Sequence, residues 1–190
     1  MKILSLFCVL IISAGLSHWA RAADTYKVDP LHSFALFRAH HAGAGMVWGR
    51  FNDPTGTLVL DDADPSKDRF SGEIQVGNID THNAKRDSDL KSPDFFNARQ
   101  YPTITFKSTS VKKGEGNMLE VTGSLMMHGI TKTVTVPIEL TGKGQFPRGM
   151  QRAGIEATFQ VKMSDFQIKG MPGVVGDEIK VIVALEGVKQ

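Results

Sequence analysis

Histidines, carboxylates and hydroxyls are the side chains best suited to chemistry, and their spacing here supports little of it. The chain has six histidines. His18 follows an N-terminal apolar run; His32, His40, His41, His82 and His128 lie beyond it. No two have the i, i+4 helical spacing of a zinc protease. Neighbours on a strand point to opposite faces, so His40 and His41 do not converge on one ion. His32 and His40 share a face only if one strand runs unbroken between them. No metal site is expected. His32 and Ser33 diverge as neighbours do, and no Gly-x-Ser-x-Gly elbow presents a serine nucleophile. Asp61, Asp62, Asp64, Asp87 and Asp89 lie in polar stretches, and nothing separates two of them into acid and base. Gly43-Ala44-Gly45 lacks the third glycine and following helix of a dinucleotide site. We therefore expect no catalytic residue and no catalytic cofactor.

What remains is apolar surface that could line a hollow. Phe34, Phe37, Trp48, Phe106, Met126 and Phe159 are the candidates. The chain also carries eight methionines, and a methionine wall is flexible and polarisable. Ordinary core packing would use the same residue types.

The elements that must position these residues are strands. Alternation begins near Thr25. Phe34, Leu36, Arg38 and His40 share one face, and Ala35, Phe37 and Ala39 the other. In Ile155, Ala157, Phe159 and Val161 the period of two is clean, with Glu156, Thr158, Gln160 and Lys162 opposite. Ile179, Val181, Val183 and Leu185 repeat it. The spacing predicts further strands over 70–79, 103–111, 118–127 and 132–142, and a strand over 47–60 broken at Asn52-Asp53-Pro54-Thr55-Gly56. Glycine-rich turns punctuate them, as at Lys113 to Asn117 and His128-Gly129. Such short connections leave no room for crossover helices. An all-β antiparallel barrel or sandwich follows. Residues 80–102 break the rhythm and predict a long connection with one or two short helices, around Asp87 to Leu90 and Asp94 to Ala98. Ser92 before Pro93 reads as the N-cap of the second.

The first 22 residues read as a secretory signal peptide: Met1-Lys2, the apolar run Ile3 to Leu16, then Ala20-Arg21-Ala22 for cleavage. The run is shorter than the ~20 residues of a membrane span, so no stable membrane insertion is expected. Removing Lys2 and Arg21 from the 22 basic residues balances the charge against 20 acids. No field remains to draw nucleic acid. The single cysteine, Cys8, leaves with the leader, so residues 23–190 form one domain without disulfide or thiolate.

Four ordered stretches carry a resemblance. They are Tyr26 to Ser33 with Phe37, His40, Gly43, Gly49 and Phe51; Ile79-Asp80-Thr81 with Lys85 to Phe96; Tyr101 to Phe106; and Gly123 to Lys132. Together they resemble the YceI-like family over essentially all of residues 23–190. The resemblance implies an extended lipocalin-like antiparallel β-barrel of about eight strands, secreted to the bacterial periplasm. It implies a carrier of a long isoprenoid lipid, such as a polyprenyl diphosphate or a long-tailed quinone, or of another long lipid, with the tail in the barrel and the head at its mouth. His32, His40, Arg86 and His128 are then the head-group candidates. Strand parity does not choose between Phe34 and Phe37 as lining. Arg86 and Asp87 could equally form an ion pair pinning the long connection, and Phe95 and Phe96 are expected to plug the barrel end. The chain departs from the family's pattern near its end, where an arginine often precedes Ser-Asp-Phe-Gly: here the run is Met163-Ser164-Asp165-Phe166-Gln167. An enzyme acting on a lipid-linked substrate, and a stress-related interaction protein with a filled barrel, are the alternative readings. A homodimer is left open.

Overall fold

The computed structural model describes residues 22–190; the leader read over residues 1–22 falls almost wholly outside them. Eleven strands run through the described residues: β1 Asp24–Val28, β2 Phe34–His41, β3 Gly45–Phe51, β4 Thr55–Leu60, β5 Arg69–Gln75, β6 Ile79–Asp80, β7 Thr103–Lys113, β8 Met118–Met127, β9 Ile130–Gln145, β10 Gln151–Lys162 and β11 Val175–Lys189. Every pairing is antiparallel, and β1–β4–β5–β7–β8–β9–β10–β11 closes on itself through β1 and β11. Eight strands therefore make the barrel, and β2, β3 and β6 extend its wall.

The extension arises from three broken strands that lie side by side. β1 and β2 both pair with β11, β1 against residues 187–189 and β2 against residues 175–184. Between them Pro30 removes a ladder donor, and Asp29 caps a single 3-10 turn by accepting from the Leu31 N–H at 3.1 Å. β3 and β4 are separated at Asn52 to Pro54, where Asp53 has a φ of 56°; the break predicted over 52–56 is present but shorter, since β4 already resumes at Thr55. β5 and β6 are separated by a 3-10 turn at Val76–Asn78.

Helix α1, Ala84–Lys91, begins at an Asn83 cap whose side chain accepts from the Arg86 N–H at 2.9 Å. The second helix predicted around Asp94 to Ala98 does not form. Ser92 ends α1, its N–H donating to the Asp89 carbonyl, and residues 93–101 fold as consecutive turns through a left-handed Asn97. Burying Phe95 against Phe166 and Ile168 outweighs the local capping preference of Ser92-Pro93.

One end of the barrel is solid. Tyr26, Leu58, Phe70, Val121, Ile138 and Ile155 pack there into the largest cluster. At the other end Phe95, Phe166 and Ile168 form a plug with Leu125 and Met127. Gln167 stands in the plug turn with a φ of 54°. A residue with a Cβ is strained there and glycine is not, which explains the glycine of the family pattern. Gln167→Gly is expected to raise unfolding stability by about 1 kcal/mol, read by urea denaturation.

Candidate functional site

Inside the wall, between the solid end and the plug, lies a cavity of about 410 Å³. Its lining is built by strand parity. Ile179, Val181, Val183 and Leu185 come from β11, and Ile155, Ala157, Phe159 and Val161 from β10. Ala35, Phe37 and Ala39 come from β2, Val47 and Phe51 from β3, and Phe106 from β7. Several of these inward side chains, Phe37, Phe106, Phe159, Val181 and Val183 among them, are only partly buried. Inward residues of a filled barrel would be fully buried, and these face open space instead.

Of the six apolar candidates, Phe37, Phe106 and Phe159 lie on the wall. The other three do not. Phe34 and Trp48 project outward, 47 % and 49 % exposed. The parity that points Ala35 and Phe51 inward turns their neighbours out. Met126 sits on the outer side of β8, opposite Thr105 and Thr131, between the inward Leu125 and Met127. Ala39, Val181 and Val183 are wall residues that aromatic content alone does not flag.

Glycine shapes the lumen as much as the large side chains do. A Cβ on Gly49 would meet the Phe37 ring at 2.3 Å, and one on Gly123 would meet the Phe106 ring at 2.5 Å. The far edge of each ring therefore rests over bare backbone of the wall, in space that a side chain there would take.

The head-group candidates scatter. Arg86 is on the cavity wall near the plug end; His40 borders the cavity there, but the parity of β2 and its pairing with Met46 put its side chain on the outer face. His32 is exposed at the opposite end of β11, its Nδ1 2.8 Å from Asp29 Oδ2. His128 lies in the β8–β9 turn, edge-on to Tyr101, and its Nδ1–H donates to the Phe166 carbonyl at 2.9 Å; it holds the plug rather than lining the cavity. Arg86 and Asp87 are not a direct ion pair. Both meet at buried Thr81, whose N–H and Oγ1–H donate to Asp87 Oδ1 at 2.9 and 2.6 Å. Arg86 donates from Nε to Thr81 Oγ1 at 2.8 Å and from Nη2 to the Thr81 carbonyl at 2.6 Å. This network ties α1 to the end of β6. Thr81→Val keeps the shape and removes the hub; it is expected to cost about 1.5 kcal/mol and to speed amide exchange in α1 relative to β10.

Asp29, His32 and Glu186 place ligand atoms within 4.8 Å of one another. Arg152 donates to Asp29 Oδ2 at 2.9 Å and also pairs with Glu186, so a cation already occupies this trio. The bond from His32, with those from Arg152 and the Leu31 N–H, holds the Asp29 carboxyl below the ordinary aspartate range. The group latches the break between β1 and β2 to β11, where Ser33 Oγ accepts from the Glu186 N–H at 3.1 Å. No helix among the described residues is long and apolar enough to cross a membrane.

Known proteins share this build. The protein YceI of Escherichia coli O157:H7 is 42% identical over 186 residues, covering 97% of this chain and 95% of its relative. The crystal structure of Burkholderia cenocepacia BcnA superposes with a TM-score of 0.77 at 23% identity, over 84% of this chain and 98% of that one. A polyisoprenoid binding domain from Saccharophagus degradans, implicated in plant cell wall breakdown, superposes with a TM-score of 0.67 at 16% identity, over 87% and 98%. The YceI-like domain model matches residues 26–187; with the barrel, its broken strands and its plug in place, the chain belongs to the YceI-like family.

Proposed function

We propose that the protein is an exported, periplasmic carrier that holds the tail of a long isoprenoid lipid in the barrel and accepts a neutral head, as in a long-tailed quinone, in preference to a diphosphate. The observation that carries the reading is the open cavity with an apolar wall. Its 410 Å³ falls within the usual ~300–1,000 Å³ of small-molecule sites. Each buried CH₂ contributes roughly 0.8 kcal/mol, so a few isoprene units offset the ordering of a flexible tail. The polyisoprenoid-binding name of one fold neighbour points the same way.

The neutral head follows from the charges. Among the described residues Arg86 is the only lysine or arginine on the cavity wall. Two of its N–H groups already donate to Thr81, and Asp89 stands one helical turn on. A diphosphate would leave most of its charge unpaired there. Where the family pattern often has an arginine, Met163 lines the cavity instead.

Catalysis is the weaker reading. Among the described residues Thr81 is the one wall hydroxyl bonded to a carboxylate, that of Asp87, and its Oγ1 also accepts from Arg86, which makes it a structural hub. The other polar residues at the wall, among them Ser71, Glu73, His40 and His41, form no hydroxyl–base pair with one another. A filled-barrel interaction protein is disfavoured by the void. Native mass spectrometry of protein purified from its own cells, followed by organic extraction, tests the proposal. A stoichiometric neutral isoprenoid is expected. Protein that stays free of lipid after incubation with a long-tailed quinone and with a polyprenyl diphosphate would overturn it.

A further inference from the structure

The outer face of the β2–β3 hairpin is apolar and cationic at once. Cross-strand partners share a face, so the register sets Phe34 beside Ala184, Leu36 between Ile182 and Arg50, Arg38 between Lys180 and Trp48, and His40 beside Met46. Phe34, Met46 and Trp48 are 47 %, 48 % and 49 % exposed. Arg50 is paired with Asp80 at 3.2 Å. Arg38 and Lys180 are not paired: among the described residues neither has a carboxylate within salt-bridge distance, and Arg38 lies 5.6 Å from the centre of the Trp48 ring. Two like charges directly opposite on adjacent strands are unfavourable unless an anion comes between them.

We propose that this face docks on an anionic phospholipid bilayer. Arg38 and Lys180 would bracket a lipid phosphate, and Trp48, Met46 and Phe34 would enter the head-group layer, where amphipathic aromatics settle. Charge complementarity selects the occupant: a second copy would bring the same two cations against themselves. The face is also continuous with the cavity. Ala39, His41 and Val47 of the same hairpin turn inward and line it, and exposed Met171 stands on the same rim. A barrel seated this way holds its lip at the bilayer, where an isoprenoid tail could pass between membrane and lumen; that purpose, though not the docking itself, rests on the carrier reading.

Residues 23–190 hold every strand and helix of the barrel and retain one of the two tryptophans, Trp48. Its fluorescence therefore reports the face directly. We expect this chain to co-sediment with vesicles of phosphatidylglycerol and phosphatidylcholine (1:3) and its emission to shift to the blue. Pure phosphatidylcholine or high salt should abolish both. Each cation near such a surface contributes about 1 kcal/mol, so an Arg38→Ala/Lys180→Ala variant should bind roughly thirtyfold more weakly. Trp48→Ala should also weaken binding. Failure of the parent chain to bind the anionic vesicles overturns the docking, as does binding that the variants leave unchanged. Dimerisation in sedimentation velocity that Trp48→Ala breaks also overturns it, since a second copy then covers the face. Uptake of a long-tailed quinone from detergent micelles, read by native mass spectrometry on the same samples, reports on the cargo separately. A protein that loads quinone but ignores vesicles loses the docking and keeps the carrier reading. A protein that binds vesicles through Arg38 and Trp48 but loads no quinone keeps the docking and loses the cargo.

Discussion

An Ala39→Trp variant is expected to fold as the parent does and to leave native mass spectrometry without lipid. Ala39 sits on β2 opposite Val47 and Ile179, with its side chain on the cavity wall. An indole there does not displace packed neighbours, because the space it enters is the void itself. Overpacking of about 1–3 kcal/mol is the usual result of enlarging a core residue; a cavity-facing site avoids most of it. The indole takes volume from the lipid tail instead. Excluding about five methylenes at roughly 0.8 kcal/mol each removes about 4 kcal/mol of affinity, close to a thousandfold. The test pairs quinone uptake with urea unfolding. Lost uptake at near-parental stability supports a tail lying against β2. Unchanged uptake would mean that the tail does not pass Ala39, and lost uptake with lost stability would mean that the site is packed in the free protein.

Why parity could be read on some strands and not others is a matter of contrast between faces. On β10 one face is Ile155, Ala157, Phe159 and Val161 and the other is polar, so the inward side is legible without a structure. On β2 both faces are apolar, Phe34 and Leu36 on one and Ala35 and Phe37 on the other, and alternation gives no direction. β8 ends in Met126-Met127, where the same ambiguity hides which methionine turns in. Phe34 and Trp48 are misleading for a further reason: burial preference says that an aromatic belongs inside, and the hairpin exposes both. The segment from Ser92 to Tyr101 fails differently. Its capping signal is local, whereas the burial of Phe95 and Phe96 beneath Leu125 and Ile168 is set by residues far along the chain. The break at Asn52 to Pro54 could be read because proline and a left-handed aspartate act on their own backbone. Gly49 and Gly123 announce only that a strand interior lacks a side chain. What they make room for becomes visible when Phe37 and Phe106 are in place.

That accommodation leads to the second large effect, in Gly123→Ala. A Cβ at position 123 would stand 2.5 Å from Phe106 Cζ and 2.6 Å from the Lys107 carbonyl oxygen. The ring can swing away, but only into the lumen. The carbonyl has less freedom, because it is held between the pairs Phe106–Leu125 and Ser108–Gly123, just short of the bulge where the register shifts between Ser108 and Ser110. Part of the strain is therefore backbone strain, and a cost of about 3 kcal/mol is expected, at the upper end for overpacking. The displaced ring should also shrink the cavity and weaken lipid retention, although position 123 touches no lipid itself. Combining Gly123→Ala with Phe106→Leu separates the two causes. Removing the ring should restore the part of the stability lost to it and leave the part set by the carbonyl, with a coupling energy between the two changes as expected for residues in contact. Strictly additive effects would show that the ring does not rest on Gly123, and the account of how glycine shapes this lumen would fail with it.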